Sequence, residues 1–279
     1  SFLLSYFCPN QKRMFTNKVI AITGGTDGIG KALVEQFLAK GAKVATCSRT
    51  AEKLAQLEND FSGKALFTLV ADVSKEEDCK NFIDKTIEKY NGIDVLINNA
   101  GISMRTLFKD TSLDTLKKVM DTNFWGTVYC TKFALESILA NKGIIVGVSS
   151  IAGYRGLPGR SGYSASKFAI IGWMEALRTE LLNTGVHVMW VCPGFTASNT
   201  RYAALGKDAK PVMESTLDEG KIMSAEECAS HIIKAIEKRK RTLILTSTGK
   251  QAIFMNRFFP GLADKIIRKM YFKNDELVK

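Results

Sequence analysis

The sequence is poor in the residues that usually build metal sites and disulfides. It contains only two histidines and six cysteines in 279 residues, and no C-x-x-C motif occurs. Scattered cysteines of this kind indicate reduced thiols. His187 lies in the strand-like stretch VHVMWV and His231 in a helix-like run, so both are interpreted as structural residues and no metal site is predicted.

Long apolar runs, low-complexity tracts and proline-rich linkers are also lacking, and the chain has only five prolines. No run approaches the roughly 18 apolar residues that a transmembrane helix needs. The apolar start SFLLSYFC has no basic leader, which makes it a poor signal peptide. We therefore expect residues 1–13 to be an upstream or appended segment, Met14 to be the natural start, and the protein to be cytoplasmic.

Positive charge is concentrated near the end of the chain. The formal net charge is +11, and residues 234–279 hold twelve Lys or Arg against four Asp or Glu. A nucleic-acid-binding protein usually spreads basic residues over a reading surface, so this asymmetry indicates a local interaction of the tail instead. We expect no nucleic-acid partner, and DNA binding is kept only as a third alternative.

Short β-branched runs alternate with amphipathic stretches along the chain. This alternation predicts repeated βα units and an α/β fold, with a doubly wound parallel sheet of about seven strands and helices on both faces. Most of the runs are almost wholly apolar, as strands covered on both faces are. The predicted strands are Lys18–Thr23, Lys43–Ser48, Leu66–Ala71, Asp94–Asn98, Gly143–Ser149, Val186–Val191 and Thr242–Thr246.

Helical patterns fill the spaces between the strands. Each pattern ends at Gly or Asn, which reach the left-handed conformation that closes a helix. The longest pattern, Leu113–Asn141, is predicted to break near Asn123. Because no linker divides the chain, we expect one catalytic domain over residues 14–249, with a lid over residues 195–222 and an extension over residues 250–279.

Four glycines crowd the segment TGGTDGIG, which leaves the first predicted strand and enters a helix. Glycine lets a ligand approach the free N–H groups at a helix start, so this turn is a candidate phosphate site. Gly24 suits the tight turn, Gly28 the close backbone approach and Gly30 the packing of helix on strand. The plain alternative is a tight turn without a ligand. The other candidate residues here are Thr23, Thr26, Asp27 and Ile29.

Further candidate cofactor residues follow the third and fourth predicted strands. Asp72 and Val73 come after the third strand, where they can border an adenine, and INNAG places Asn99, Ala100 and Gly101 after the fourth. Ligands of open α/β sheets bind at these carboxyl ends. The three segments therefore predict one binding crevice.

Three motifs, T-G-x-x-x-G-x-G, N-N-A-G and Y-x-x-x-K, occur in this order within about residues 17–246. In this combination the chain resembles the short-chain dehydrogenase/reductase family. The resemblance implies the Rossmann form of the doubly wound sheet, a nicotinamide dinucleotide cofactor and a small-molecule carbonyl or alcohol substrate. It also implies a homodimer or homotetramer that pairs through the long helices.

The choice of nucleotide is predicted from the end of the second strand. Ser48 stands where a ribose-binding acid would lie, so no carboxylate repels a phosphate there. Arg49 follows and can pair with a 2′-phosphate through its planar guanidinium. These residues favour NADP(H). Asp27, however, stands where family members that prefer NADP(H) often carry a basic residue, so NAD(H) remains a possible cofactor.

The candidate catalytic residues centre on the stretch YSASK, which places Tyr163 and Lys167 on one face of a helix. A neighbouring ammonium lowers the pKa of tyrosine from its usual value of about 10, as proton transfer requires. The family resemblance implies that Ser150 orients the substrate carbonyl and that Asn123 orders a proton relay to Lys167. Ser149 is the alternative to Ser150. No G-x-S-x-G follows a strand, which disfavours a Ser-His-Asp hydrolase.

Residues after the sixth strand complete the predicted site. Pro193 and Gly194 leave the strand, and Thr196 is placed to contact the nicotinamide amide or the pyrophosphate. Apolar side chains in the following lid favour a lipid-like or steroid-like substrate, with a plain surface loop as the alternative. These side chains are Phe195, Tyr202, Ala203, Ala204, Leu205 and Met213.

The tail after Pro260 has apolar residues at helical spacing and a basic region opposite them. This pattern is typical of a helix that lies in the interface of an anionic membrane. The same apolar residues also suit a cover over the substrate cleft or a contact with a neighbouring subunit. Both interpretations stay open at this point.

The residues together predict an NADP(H)-dependent oxidoreductase. The reaction would transfer a hydride between the nicotinamide and a carbonyl or secondary alcohol, with Tyr163 exchanging the proton. The alternative from another class is an NADP(H)-binding scaffold or redox sensor without physiological turnover.

Overall fold

A central sheet of parallel strands organises the chain. The protein is described by a computed structural model, which covers residues 14–196, 203–210, 212 and 222–278. The strands of this sheet are β1 (Val19–Thr23), β2 (Lys43–Ser48), β3 (Leu66–Val70), β4 (Val95–Asn98), β5 (Ile144–Val148), β6 (His187–Cys192) and β7 (Thr242–Ile244). They lie in the order β3-β2-β1-β4-β5-β6-β7, and every neighbouring pair is parallel. The order reverses between β1 and β4, which is where open sheets of this kind bind ligands.

Helices cover both faces of the sheet, which confirms the predicted doubly wound fold. One face carries α1 (Gly28–Ala39), α2 (Ala51–Asp60) and α7 (Ala225–Glu237). The other carries α3 (Glu76–Tyr90), α4 (Leu113–Met120), α5 (Gly126–Ala140) and α6 (Ser161–Glu180). After β7 the chain continues in α8 (Ser247–Phe258), α9 (Pro260–Tyr271) and a hairpin of β8 (Phe272–Lys273) and β9 (Glu276–Leu277).

Two apolar cores lie on opposite faces of the sheet. Ile20 and Ile22 of β1 point into the core below α1 and α7, whereas Val19 and Ala21 point into the core below α3, α5 and α6. All four side chains are buried. The alternation follows from the two-residue period of a strand, and it explains why both sets are apolar.

The long helical pattern from residue 113 to 141 breaks at the predicted position. A π-helical turn, Asp121–Trp125, separates α4 from α5 and contains Asn123. Such turns insert an extra residue into a helix and occur often at functional sites. The turn therefore indicates that Asn123 belongs to a functional site.

The predicted helix ends are confirmed at two places and wrong at two others. Asn91 after α3 and Gly41 after α1 have φ angles of 60° and 77°, so both lie in the left-handed region. After α5, however, the left-handed residue is Lys142 with φ of 47°, and not Asn141. Helix α6 already ends at Glu180, before the left-handed Gly185.

The predicted lid is described only in part. Leu205 pairs with Met104, and Thr196 pairs with Met223, through isolated bridges. The lid residues Tyr202 and Met213 lie outside the described residues. Among the helices that the structure describes, none combines the length and the apolar character needed to cross a membrane.

Candidate active site

The turn after β1 is tied to the turn after β4. The Thr23 hydroxyl accepts hydrogen bonds from the N–H groups of Asn99 and Ala100, both at 3.0 Å. The Asn99 amide donates to the carbonyl oxygens of Thr23 and Gly24, at 3.0 and 3.2 Å. These bonds hold the two strand ends, and the residues that follow them, in one fixed arrangement.

Glycine is required in the TGGTDGIG turn for two separate reasons. Gly24 and Gly28 have φ angles of 72° and 48°, which disfavour residues with a side chain. A Cβ on Gly30 would lie 2.1 Å from the carbonyl oxygen of Gly24, so the backbone leaves no space for one. The turn therefore brings bare backbone to the start of α1, as the binding of a phosphate needs.

The polar environment of this turn also fits a dinucleotide. No side-chain hydrogen bond caps the first turn of α1, a helix that is described throughout, so its N–H groups face the turn. Asp27 forms an ion pair with Lys53 of α2 at 3.1 Å, which offsets its negative charge. Ser48 accepts a hydrogen bond from the hydroxyl of Thr26 at 3.0 Å, and Arg49 next to it is exposed.

Asp72 shapes the edge of the crevice after β3. Its carboxylate accepts hydrogen bonds from the N–H and the hydroxyl of Ser74, at 3.0 and 2.8 Å. The Asp72 N–H donates to Asp78 at 2.8 Å. Because these bonds fix the local turn, Val73 and Asp72 form a rigid wall.

One cavity of about 820 Å³ joins nearly all of the predicted site residues. Its walls include the predicted residues Gly24, Thr26, Asp27, Gly28, Ile29, Gly30, Ser48, Arg49, Asp72, Val73, Asn99, Ala100, Gly101, Ser150, Tyr163, Lys167, Pro193, Gly194 and Thr196. Thr23 and Asn123 are buried behind the walls. We call the part bordered by Gly24, Gly28 and Gly30 the glycine end, and the part bordered by Arg155, Arg160 and α9 the α9 end.

Tyr163 and Lys167 line the cavity from α6. Burial raises the pKa of Tyr163, while a hydrogen bond with the Ser150 hydroxyl and the charge of Arg160 lower it. Burial also lowers the pKa of Lys167 to about 8. The side chain of Tyr163 is therefore protonated at neutral pH and can donate its proton.

The expectation that Lys167 lowers the pKa of Tyr163 is not met in this structure. The Lys167 ammonium donates to the Val148 carbonyl oxygen at 2.8 Å and lies 5.7 Å from the centroid of the Tyr163 ring. Burial outweighs the effect of nearby charges on the phenol, and the charge that lowers its pKa comes from Arg160.

Hydrogen bonds distinguish the two candidate serines. Ser149 is buried and donates to the backbone carbonyl of Lys167 at 2.9 Å, so its hydroxyl holds α6 against β5. Ser150 instead lines the cavity together with Tyr163, whose pKa it lowers, and accepts from the Ala152 N–H at 3.2 Å. This arrangement favours Ser150 as the serine that meets a ligand.

Asn123 connects the loop after β4 with α6. Its side chain accepts from the Ile102 N–H at 2.8 Å and donates to the Ile102 carbonyl and the Ser166 hydroxyl, at 3.0 and 2.9 Å. Ser166 in turn donates to the carbonyl of Tyr163 at 2.8 Å. Asn123 thus positions α6, and its predicted part in a proton relay stays a prediction.

Several cavity residues were not predicted. Lys53 lies one turn after Arg49 and was missed because the pattern of α2 was not recognised. Arg155 and Arg160 belong to no motif. The C-terminal residues that line the cavity are Gly249, Gln251, Ala252, Met255, Ala263, Ile266, Ile267, Met270 and Tyr271. In the structure α8 and α9 therefore cover the cavity, as one of the interpretations of the tail proposed.

Comparison with known proteins agrees with this geometry. A family model for the short chain dehydrogenase matches residues 18–208. The chain belongs to this family. It is therefore an oxidoreductase of the short-chain dehydrogenase/reductase type with a nucleotide-binding Rossmann fold.

Curated relatives of this short-chain dehydrogenase match over most of its length. It is 33% identical over 264 residues to 11-beta-hydroxysteroid dehydrogenase A of Arachis hypogaea, and the match covers 91% of this chain and 75% of the relative. It is 32% identical over 274 residues to dehydrogenase/reductase SDR family member 7B of Mus musculus, with 92% and 82% covered.

Two solved structures share the fold of this short-chain dehydrogenase. A short chain dehydrogenase/reductase from Burkholderia phymatum, in complex with NAD, has a TM-score of 0.80 at 21% identity, covering 89% of this chain and 95% of that one. A short-chain dehydrogenase from Streptomyces avermitilis has a TM-score of 0.77 at 24% identity, covering 92% and 100%.

Proposed function

We propose that the protein is an NADP(H)-dependent oxidoreductase that interconverts a carbonyl and a secondary alcohol on a hydrophobic substrate. The observation that carries this proposal is that Ser150, Tyr163 and Lys167 line one cavity that also reaches the glycine end. The name of the Arachis relative, a hydroxysteroid dehydrogenase, supports an apolar substrate.

The bound nicotinamide would supply or accept the hydride. Ser150 would donate a hydrogen bond to the substrate oxygen and hold it near the phenol. Tyr163 would donate its proton in reduction and accept one in oxidation. Lys167, whose pKa of about 8 leaves it mostly protonated at neutral pH, lines the same part of the cavity and would donate a hydrogen bond to the nicotinamide ribose.

The preference for NADP(H) is supported by the charges at the glycine end. Arg49 and Lys53 both line the cavity there, and Ser48 stands where an acid would repel a 2′-phosphate. Lys53 pairs with Asp27, the residue that kept NAD(H) open. Arg49 is therefore left free to pair with a phosphorylated ribose, which favours NADP(H).

A thiol-based redox sensor is not supported by the described cysteines. All five are free and buried. Burial raises the pKa of Cys47, Cys192 and Cys228 to about 12, so these thiols stay protonated at neutral pH. The combination of Ser150, Tyr163 and Lys167 in one cavity favours turnover over a scaffold role.

Two surface features support proposals about partners. Phe254, Phe258, Phe259 and Leu262 are each about half exposed in the segment of α8 and α9, and the rings of Phe254, Phe258 and Phe259 lie together. The same two helices carry exposed Lys and Arg residues. This combination supports peripheral contact with an anionic membrane. Exposed apolar side chains on and beside α5 and α6, Trp125, Phe168 and Leu182, support pairing into a homodimer or homotetramer.

The reaction is tested by following NADPH and NADH oxidation with a panel of ketones and aldehydes. We expect turnover of apolar ketones with NADPH preferred. Tight NADPH binding without turnover of any carbonyl compound would instead support the scaffold or sensor.

A further inference from the structure

Two arginines line the α9 end of the cavity, in the short segment before the catalytic helix. Arg155 follows the turn Ile151–Gly153, and Arg160 is the residue directly before α6, three positions ahead of Tyr163. Both residues are partly buried and line the cavity. They therefore set the charge of the space beside the phenol.

Arg155 is held in place by the C-terminal helices. Its terminal nitrogens donate to Asn256 of α8 at 2.8 Å and to Asp264 of α9 at 2.6 Å. Asn256 in turn donates to the Tyr154 carbonyl at 3.0 Å. The Arg155 side chain is only 16% exposed, and its Nε is buried without a hydrogen-bond partner among the described residues.

The Arg160 side chain has no hydrogen-bond or ion-pair partner within the described part of the chain. Its Nε is buried and unpaired, and its guanidinium forms no ion pair or side-chain hydrogen bond with a described residue. A buried N–H of a guanidinium without an acceptor is unfavourable, so native proteins rarely leave one unpaired without a reason. An anionic ligand would supply the missing partner.

The cavity wall around Arg160 is positive, and no described carboxylate lines it there. Arg160 is the N-cap residue of α6, the positive end of a 20-residue helix whose first turn holds no acidic residue. Among the described residues that line the cavity, the only carboxylates are Asp27 and Asp72, on the turns after β1 and β3. Neither belongs to the α9 end.

Apolar side chains face the same space from α9. Ile266, Ile267 and Met270 line the cavity beside the arginines, together with Leu157. Tyr271, which is buried, has its pKa raised by burial and lowered by the charge of Arg160, so this arginine lies close to the C-terminal cover. The α9 end therefore combines a positive centre with an apolar wall.

We propose that Arg160, aided by Arg155, binds an anionic oxygen group of the substrate, a carboxylate or a phosphate, while α9 contacts its apolar chain. This inference rests on the proposed function and names the substrate class: an acidic, chain-bearing carbonyl compound or alcohol. A planar guanidinium pairs well with either anion.

The test measures ligand binding separately from turnover. Isothermal titration calorimetry of the full chain with decanoate, decyl phosphate and decanol compares two anionic ends and a neutral end on one apolar chain. We expect at least one anion to bind about tenfold or more tighter than decanol. The tighter anion distinguishes a carboxylate from a phosphate ligand.

Variants connect that preference to one side chain. Arg160→Met should remove the preference for the anion, and Arg160→Lys should keep part of it because the charge remains. Arg257→Met is the matched control, since Arg257 is an exposed arginine on α8 that does not line the cavity. Thermal unfolding of each variant shows whether the fold is retained.

Equal affinity for anion and alcohol, the absence of binding, or an unchanged preference in Arg160→Met would overturn the inference. Failure of the proposed function is a separate result. If the anion preference depends on Arg160 but no ketone is reduced, the anion site stands and the proposed reaction fails. If neutral ketones are reduced without any anion preference, the reaction stands and the anion site fails.

Discussion

At the glycine end the cavity wall is formed mainly by backbone atoms, whereas at the α9 end it is formed by side chains from segments that are far apart in the sequence. Gly24, Gly28 and Gly30 offer N–H groups and bare Cα atoms, held by Thr23 and Asn99. At the other end, arginines before α6 meet apolar residues from α9, more than a hundred positions later. A backbone site recognises what many ligands share, such as a pyrophosphate, while a side-chain site can select one substrate.

Among the changes that affect binding, the largest effect is expected from filling the backbone wall. Gly30→Ala would place a Cβ 2.1 Å from the carbonyl of Gly24, and this contact with backbone cannot be relieved by a side-chain rotation. We expect NADPH affinity to fall by about 100-fold, or roughly 2.7 kcal/mol. Fluorescence titration with NADPH measures it.

Gly172→Ala is the matched control for that change, since a Cβ there meets nothing within 4 Å. Gly172 lies inside α6, where Ala stabilises a helix by up to about 1 kcal/mol relative to Gly. Unchanged NADPH binding is expected. If Gly30→Ala bound NADPH as well as Gly172→Ala does, the glycine end would not be the dinucleotide site.

A smaller effect on binding, limited to NADPH, is expected from a change at Arg49, which borders the glycine end. Arg49→Ala should weaken NADPH binding by about 10- to 100-fold and NADH binding by about twofold at most, because only the 2′-phosphate loses a charge-assisted partner. Titration of both nucleotides provides an internal control. Equal losses for both would refute the proposed preference.

At the α9 end, shortening an apolar side chain should change substrate affinity alone. Ile267→Ala is expected to raise KM for apolar ketones by about three- to tenfold, since a lost contact of this size is about 1 kcal/mol. NADPH affinity should stay within about twofold. Leu262→Ala is the control, because Leu262 is on α9 but outside the cavity wall. A matching rise in KM for both variants would contradict a direct contact.

The smallest effect concerns the outer face of α8 and α9. We expect the protein to sediment with anionic liposomes at low salt and much less at high salt, since screening weakens the attraction of the basic side chains. Phe258→Ser with Phe259→Ser should reduce sedimentation, and a chain that ends near Gly249 should not sediment. Indistinguishable sedimentation of the full and shortened chains would remove the membrane contact and leave only the covering role.

The sequence predicts the glycine end well because its requirements are local. A φ of 72°, as at Gly24, favours glycine independently of the rest of the chain. The strand before it has to be apolar because it is buried on both faces. All seven strands of the sheet were predicted for this reason. Helix α2 was missed because only Leu54 and Leu57 are buried along it, which leaves a very short apolar stripe.

The α9 end was predicted only as an open alternative, because its contacts connect residues far apart in the chain. Nothing in the sequence around Arg160 shows that Tyr271 and α9 cover it, or that no acid stands opposite. The effect of Lys167 on Tyr163 was predicted from four-residue spacing, but spacing does not reveal that the ammonium donates to Val148. Burial and its effect on pKa depend on the folded chain as a whole.

The measurement that tests the central claim most directly is turnover by Tyr163→Phe, alongside Tyr90→Phe as a control at a tyrosine that does not line the cavity. The account predicts that Tyr163→Phe binds NADPH within about twofold of the unchanged protein but reduces ketones at least about 1,000-fold more slowly, because proton transfer is lost. Tyr90→Phe should keep its activity. Retained ketone turnover by Tyr163→Phe would contradict the assignment of Tyr163 as the proton donor.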